Sequence, residues 1–279
     1  MISSKKCNSP RDLEESYLSL LDKGSNEQVY QTFIEENTYL IPREFVQNHG
    51  IHFSVVLRKL PFGSDFLSDF AYLSKSTVRW NCVLIEIEKP SSRFFKEGSN
   101  SFHREFTDAL QQISDWRAWF DETSNKDSFV KNTLGFLRTP LSYTPVNIKY
   151  VLVFGRRAEI ESNSRRLAKV RAQERDDFRL MSFDSLASDL RNKSGLYIAA
   201  KRTNYIKILN DEFMDDTMFG WMGPETIKMS SALRAQIEGS RGASSYRFVN
   251  GKSVAAIDHY LDSTKPSRPR QKGKQENSN

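Results

Sequence analysis

The stretch VRWNCVLIEIE at residues 78–88 constrains this chain more than any other. Residues 82–85, Cys-Val-Leu-Ile, form an unbroken apolar run within it. A strand of that kind must be covered on both faces, which places it inside a sheet layered between helices. Lys89-Pro90 ends it, because proline has no N–H to give to a ladder.

The flanking segments supply such a sheet and its cover. Residues 52–60 (HFSVVLRKL) and 66–73 read as strands on either side of a Pro61-Phe62-Gly63-Ser64 turn. Residues 148–155 (IKYVLVFG) read as a further buried strand, and 178–183 as a short one. Residues 11–23 read as a helix with Leu13, Tyr17, Leu20 and Leu21 on its apolar side. Asn26 is placed to cap a second helix, EQVYQTFIEEN, with Val29, Tyr30, Phe33 and Ile34 facing inward. In residues 102–120, Phe102, Phe106, Ala109, Ile113, Trp116 and Phe120 recur at spacings of three and four, the mark of an amphipathic helix. A charged, helical-looking segment runs to Arg175, and another helix begins at Asp184-Ser185-Leu186.

This order predicts a mixed α/β domain over residues 25–195, a mixed sheet core flanked by helices, after an N-terminal helical segment at 1–24. Residues 196–262 include NDEFMDDTMFGWMGPE and show no single period. They read as a C-terminal appendage packed on the core and as a candidate interface. Residues 263–279 hold five basic residues against one acid, so +4 of the chain's net +6 sits in a tail expected to be disordered. Such a tail solubilises, or touches phosphates non-specifically. Residues 156–179 carry eight basic residues against five acids, which one charged helix face also explains. Charge alone therefore leaves nucleic-acid binding open.

Two cysteines, Cys7 and Cys82, exclude a disulfide framework and a cysteine-built zinc site, so a cytoplasmic location is expected. No stretch approaches the apolar length of a membrane span, and MISSKKCNSP has no apolar run behind its lysines to serve as a secretory signal.

The chemistry concentrates in residues 63–90. Strand side chains alternate, so Glu86 and Glu88 share one face and Ile85 and Ile87 the other, with the two glutamates about 7 Å apart. If the strands pair as neighbours, Asp69 reaches the same edge and three carboxylates surround one point. Crowded acids at a buried strand end are unfavourable unless paired or ligated. A divalent cation relieves both penalties, and oxygen-only ligands suit Mg2+ or Mn2+. The simpler explanation is surface charge paired with Lys75, Arg79 or Lys89. Lys89 turns inward only if a bulge precedes Pro90; otherwise it lies along the surface. Gln112, beside Ile113, can approach the strand-end acids or be a plain polar flank. Glu27 and Gln31, one helical turn apart, are a second candidate pair for the same cleft. Trp116 and Trp119 read as core or interface. Arg156 and Arg157, after Gly155, are placed to grip phosphate or to make ordinary ion pairs. His49, His52, His103 and His259 are scattered, and no phosphate-binding loop, serine elbow or dinucleotide fingerprint occurs.

Taken in order, EQVYQTFIEENTYLIP, SDFAYL, WNCVLIEIEKP, DALQQISDWRAW, VLVFGRRAEI and LMSFDSLA resemble the Shedu family of bacterial anti-phage defence proteins over roughly residues 25–190. The resembling part is their C-terminal nuclease domain, a member of the PD-(D/E)xK restriction-endonuclease-like superfamily. The resemblance implies a restriction-endonuclease-like fold, a metal-dependent endonuclease, a DNA substrate and a homo-oligomer. Asp69 resembles the superfamily's first acid, with Asp65 as second choice, and Glu86 the acid of its E-x-K strand. Glu88 stands where the lysine is expected, with Lys89 one step late, so the general base is Glu88 or Lys89. Gln112 resembles the glutamine of the core helix. Asp69, Glu86 and Glu88 are the expected metal ligands. The rival expectations are a catalytically silent DNA-binding or sensor protein and a structural assembly protein.

Overall fold

The computed structural model describes residues 9–161, 163–210, 218–219, 221–223, 225–239, 246–249 and 252–255. Cys7 and the basic tail at 263–279 lie outside them, as does most of NDEFMDDTMFGWMGPE. The chain opens with α1 (Pro10–Leu21) and α2 (Glu27–Glu36). Ser9 caps the first helix through Asp12 N, and Asn26 caps the second through Val29 N, as its position predicts. Three strands follow, β1 (Ile51–Phe62), β2 (Phe66–Lys75) and β3 (Trp80–Ile87). Then come α3 (Arg104–Asp121), the short α4 (Thr123–Ser128) and β4 (Val146–Val153). The domain continues through α5 (Ala158–Glu161), α6 (Ser164–Arg171), β5 (Phe178–Met181) and α7 (Phe183–Leu186).

The sheet is mixed. Its order is β5-β4-β3-β2-β1, extended by β6 (Tyr197–Lys201), β7 (Ile206–Ile208) and β8 (Ile227–Lys228). β3 pairs antiparallel with β2 and parallel with β4, so both its edges are filled. The expected boundary near residue 195 is crossed by the sheet itself, since β6 pairs parallel with β1. Residues 197–208 thus pack on the core as strands of the same sheet, flanked further on by α8 (Ser231–Gly239).

Two apolar layers cover the sheet, and β3 feeds them alternately. Cys82 and Leu84 enter the layer containing Phe106, Ala109, Ile113, Trp116 and Phe120 of α3. Val83, Ile85 and Ile87 enter the other, with Leu13 and Tyr17 of α1 and Tyr30 and Ile34 of α2. The two-residue strand period is therefore what sends Glu86 to the α3 side. The turn between β1 and β2 falls at Gly63, later than expected, because Pro61 and Phe62 still pair with Leu67 and Phe66. Gly63 has φ +64°, and an added Cβ would sit 2.9 Å from Trp119 Nε1. Trp119 therefore packs on the hairpin turn, while Trp116 lies in the core.

β1 is not a regular strand. Its register against β2 slips between Ile51 and Val56, around Phe53 and Ser54, which both take positive φ. Lys59 also has positive φ, +47°, although its neighbours Arg58 and Leu60 keep register with Phe70 and Ser68. Leu57 and Leu60, three residues apart, both enter the α3-side core. The left-handed residue between them resets the strand alternation.

Burial, then the charge of Lys75, holds the His52 imidazole at about 3 against an ordinary 6.5. The folded chain thus binds fewer protons than the unfolded chain between those values, and stability falls as pH drops from 6.5 toward 3. Its slope is on the order of 1 kcal/mol per pH unit. His52→Phe, which keeps a ring against Trp80, is expected to flatten that part of the curve. Urea denaturation at a series of pH values reads it directly, and identical slopes for the two chains would contradict the assignment.

Candidate active site

Asp69 and Glu86 face each other across β2 and β3. Phe70 pairs with Ile85 at the end of the ladder, so Asp69 and Glu86 are the next residues along the two strands. Asp69 is 5% exposed, and its carboxylate is filled by three donors. Gln31 Nε2 donates to Oδ1 at 2.7 Å, Lys59 Nζ donates to the same oxygen, and Ile87 N donates to Oδ2 at 2.8 Å. A single buried carboxylate thus fastens α2, β1 and the end of β3 to β2.

Glu86 receives only one donor. Gln112 Nε2 of α3 reaches its Oε1 at 2.7 Å, while its Oε2 is buried without a hydrogen-bond partner. The amphipathic period of α3 explains the contact, because Gln112 flanks the buried stripe beside Ile113 and so lies over the sheet. Burial pushes the Glu86 carboxyl well above its ordinary value, and Asp69 adds to the rise, against the Gln112 hydrogen bond. Glu88, half-buried just beyond β3, is raised by burial and then by Glu27. Glu27 is raised by burial and then by Asp69. Gln31, 1% exposed, links these acids by donating from its Nε2 to Glu27 Oε1 at 3.0 Å as well as to Asp69.

The structure therefore gathers Asp69, Glu86 and Gln112, with Glu88 nearby, and brings the second pair Glu27 and Gln31 into the same cluster. Lys89 lies close enough to Glu88 and Glu27 for its charge to lower both, and makes no ion pair among the described residues. Asp65 is exposed in the turn, apart from the cluster. Arg156 and Arg157 are engaged elsewhere. Arg156 pairs with Asp22 and Asp184, both at 3.0 Å, and Arg157 lies 3.4 Å from Glu161 while its N–H is held by Asp184. Their place after Gly155, at φ +58° and tight against Phe94 and Ser92 O, makes them a brace between β4, α7 and α1. Lys59 is the member that sequence reading missed. It stands in HFSVVLRKL like any strand lysine, and the β1–β2 register, Arg58 with Phe70 and Leu60 with Ser68, sets it opposite Asp69.

The donor set suits a hard divalent cation. A partnerless buried oxygen on Glu86 beside the Asp69 carboxylate offers two hard ligands, and Mg2+ is commonly held by one or two carboxylates plus substrate phosphate. Among the described residues no three Asp, Glu, His or Cys side chains converge on one point, so the expected three-carboxylate cage is absent there. Asp69 and Glu86 are the pair that fits.

Two substitutions should separate the roles of the facing acids in stability. Asp69→Ala strands the Ile87 N–H and the Gln31 amide, and is expected to cost roughly 1–3 kcal/mol. A carboxyl raised in the fold weakens stability progressively as pH climbs from its unfolded value of 4.5 through its folded one. Glu86→Gln should therefore stabilise, by about 2–4 °C in Tm per kcal/mol, with a gain that grows toward alkaline pH. Thermal melts across pH check both, and a Glu86→Gln chain that melts lower at every pH would show that Glu86 is not under charge stress.

No helix of the described residues is long and apolar enough to cross a membrane. No curated protein matches the chain. The family model described as Shedu protein SduA, C-terminal, matches residues 24–187, which takes in α2, the sheet from β1 to β5, α3 and every residue of the carboxylate cluster. By that match over more than half its length, the chain belongs to the Shedu family.

Proposed function

We propose that this chain is a metal-dependent DNA endonuclease that hydrolyses phosphodiester bonds in bacterial anti-phage defence. Family membership supports the defence role. The observation that carries the chemistry is the Asp69–Glu86 pair, cross-strand neighbours with one buried carboxylate oxygen left without a partner. A Mg2+ or Mn2+ ion held there would polarise the phosphodiester and acidify the attacking water. The protein's part is positional. Gln112 fixes one oxygen of Glu86, and Gln31 and the Ile87 N–H fix both oxygens of Asp69. Glu88 or Lys89 positions or deprotonates the water. The attack proposed is direct, without a covalent enzyme intermediate, as the sequence shows no recognisable activated nucleophile, and Cys82 is buried in the core with its thiol pushed up to about 12. DNA is the proposed substrate, and a homo-oligomer the proposed assembly.

One observation favours a second reading, a DNA-binding sensor that keeps the fold without cutting. Glu88 occupies the position where the superfamily's strand carries lysine. Nicking of supercoiled plasmid in Mg2+ or Mn2+ separates the two. The endonuclease reading expects cleavage by the unaltered chain and a loss on the order of 100-fold in Glu86→Gln and Asp69→Asn, with folding and DNA binding retained. Equal cleavage by those variants would remove the site from the reaction. DNA binding with no cleavage in either metal would favour the sensor.

A further inference from the structure

We propose that Lys59 is the catalytic cation of this site, supplying from β1 the positive charge that the E-x-K pattern places two residues beyond Glu86 and that this chain replaces with Glu88. The proposal rests on the endonuclease reading. It starts from an imbalance of charge. Glu27, Asp69, Glu86 and Glu88 act on one another electrostatically at the end of β3, and a phosphodiester brings a further negative charge. Attack on phosphorus adds more charge to the phosphoryl oxygens, so a fixed cation at that point stabilises the transition state more than the ground state.

Two lysines are near enough to serve. Lys89 acts on Glu27 and Glu88. Lys59 donates directly to Asp69, and its charge reaches Glu86 as well, so it is the lysine at the facing pair. Its side chain is 36% exposed while that of Asp69 is 6% exposed. A phosphate arriving from solvent therefore meets the ammonium before it reaches the carboxylate. The backbone points the same way. Glycine, asparagine or aspartate would serve the φ of +47° with less strain, yet a lysine stands there, in a stretch of β1 that holds its register on either side. Non-glycine residues held in this region concentrate at functional sites.

In the reaction, the water oxygen bonds to phosphorus and the bond from phosphorus to the leaving sugar oxygen breaks. The water's proton passes to solvent, by way of Glu88 or Lys89 where that group acts as base, and the leaving oxygen takes one from solvent. Lys59 keeps its three protons throughout and donates hydrogen bonds to a non-bridging oxygen, neutralising the charge that builds there.

The test uses the full chain with Lys59→Met, Lys59→Gln and Lys59→Arg. Lys59→Gln keeps a donor for Asp69 without the charge, and Asp69 retains Gln31 and the Ile87 N–H in every variant, so folding is checked by thermal melt before activity is read. At saturating supercoiled plasmid with Mn2+, Lys59→Met and Lys59→Gln are expected to lose about 100-fold or more in rate while half-saturating DNA changes little. Lys59→Arg should retain more activity than either, and in a further variant, Lys59→Ala, added ethylamine should restore part of the rate. Calorimetric Mn2+ binding should persist in Lys59→Met and disappear in Asp69→Asn. Wild-type rates in folded Lys59→Met and Lys59→Gln would overturn the assignment while leaving the endonuclease reading intact. An unaltered chain that neither binds Mn2+ nor cuts would overturn both.

Discussion

A buried carboxylate must be fully hydrogen-bonded to be tolerated, and Asp69 satisfies that requirement with donors from three separate elements. Gln31 comes from α2, Lys59 from β1 and the Ile87 N–H from β3. Each donor is a point where a neighbouring element is held in place, so the geometry of the cluster follows from how one side chain is solvated inside the protein. Charge-assisted bonds of this kind are about twice as strong as neutral ones, which makes Asp69 a structural fastener as well as a candidate ligand.

Glu86 is the counterpart with the opposite character. It faces Asp69 across the strands, yet it has one donor and one oxygen with none. Burial and the surrounding acids both work against its charge. One acid is thus fully hydrogen-bonded while its neighbour keeps a buried oxygen without a partner. Functional sites are where such local conflict persists, because the rest of the fold supplies the stability. Here that stability comes from two apolar layers on a sheet whose central strands are filled on both edges. The strands after residue 196 add to it by lengthening the sheet past β1. Arg156, braced between Asp22 and Asp184, fixes the exit of β4 beside the same end.

Residues 82–87 by themselves determined a central strand with alternate side chains committed to opposite layers, because composition and the two-residue period are local properties. The spacing of Phe106, Ala109, Ile113, Trp116 and Phe120 likewise determined α3 and the side on which Gln112 lies, and Asn26 set the start of α2. The pairing of Asp69 with Glu86 was legible once β2 and β3 were read as neighbours. Other features were decided only by tertiary structure. Whether Arg156 meets phosphate or Asp184 depends on where α7 packs, more than twenty residues later in the chain. That residues 197–208 are sheet strands depends on an open edge at β1, which no local pattern reports. Lys59 joins the cluster because the register of β1 against β2 sets it opposite Asp69, and a cross-strand register leaves no trace in hydrophobic periodicity.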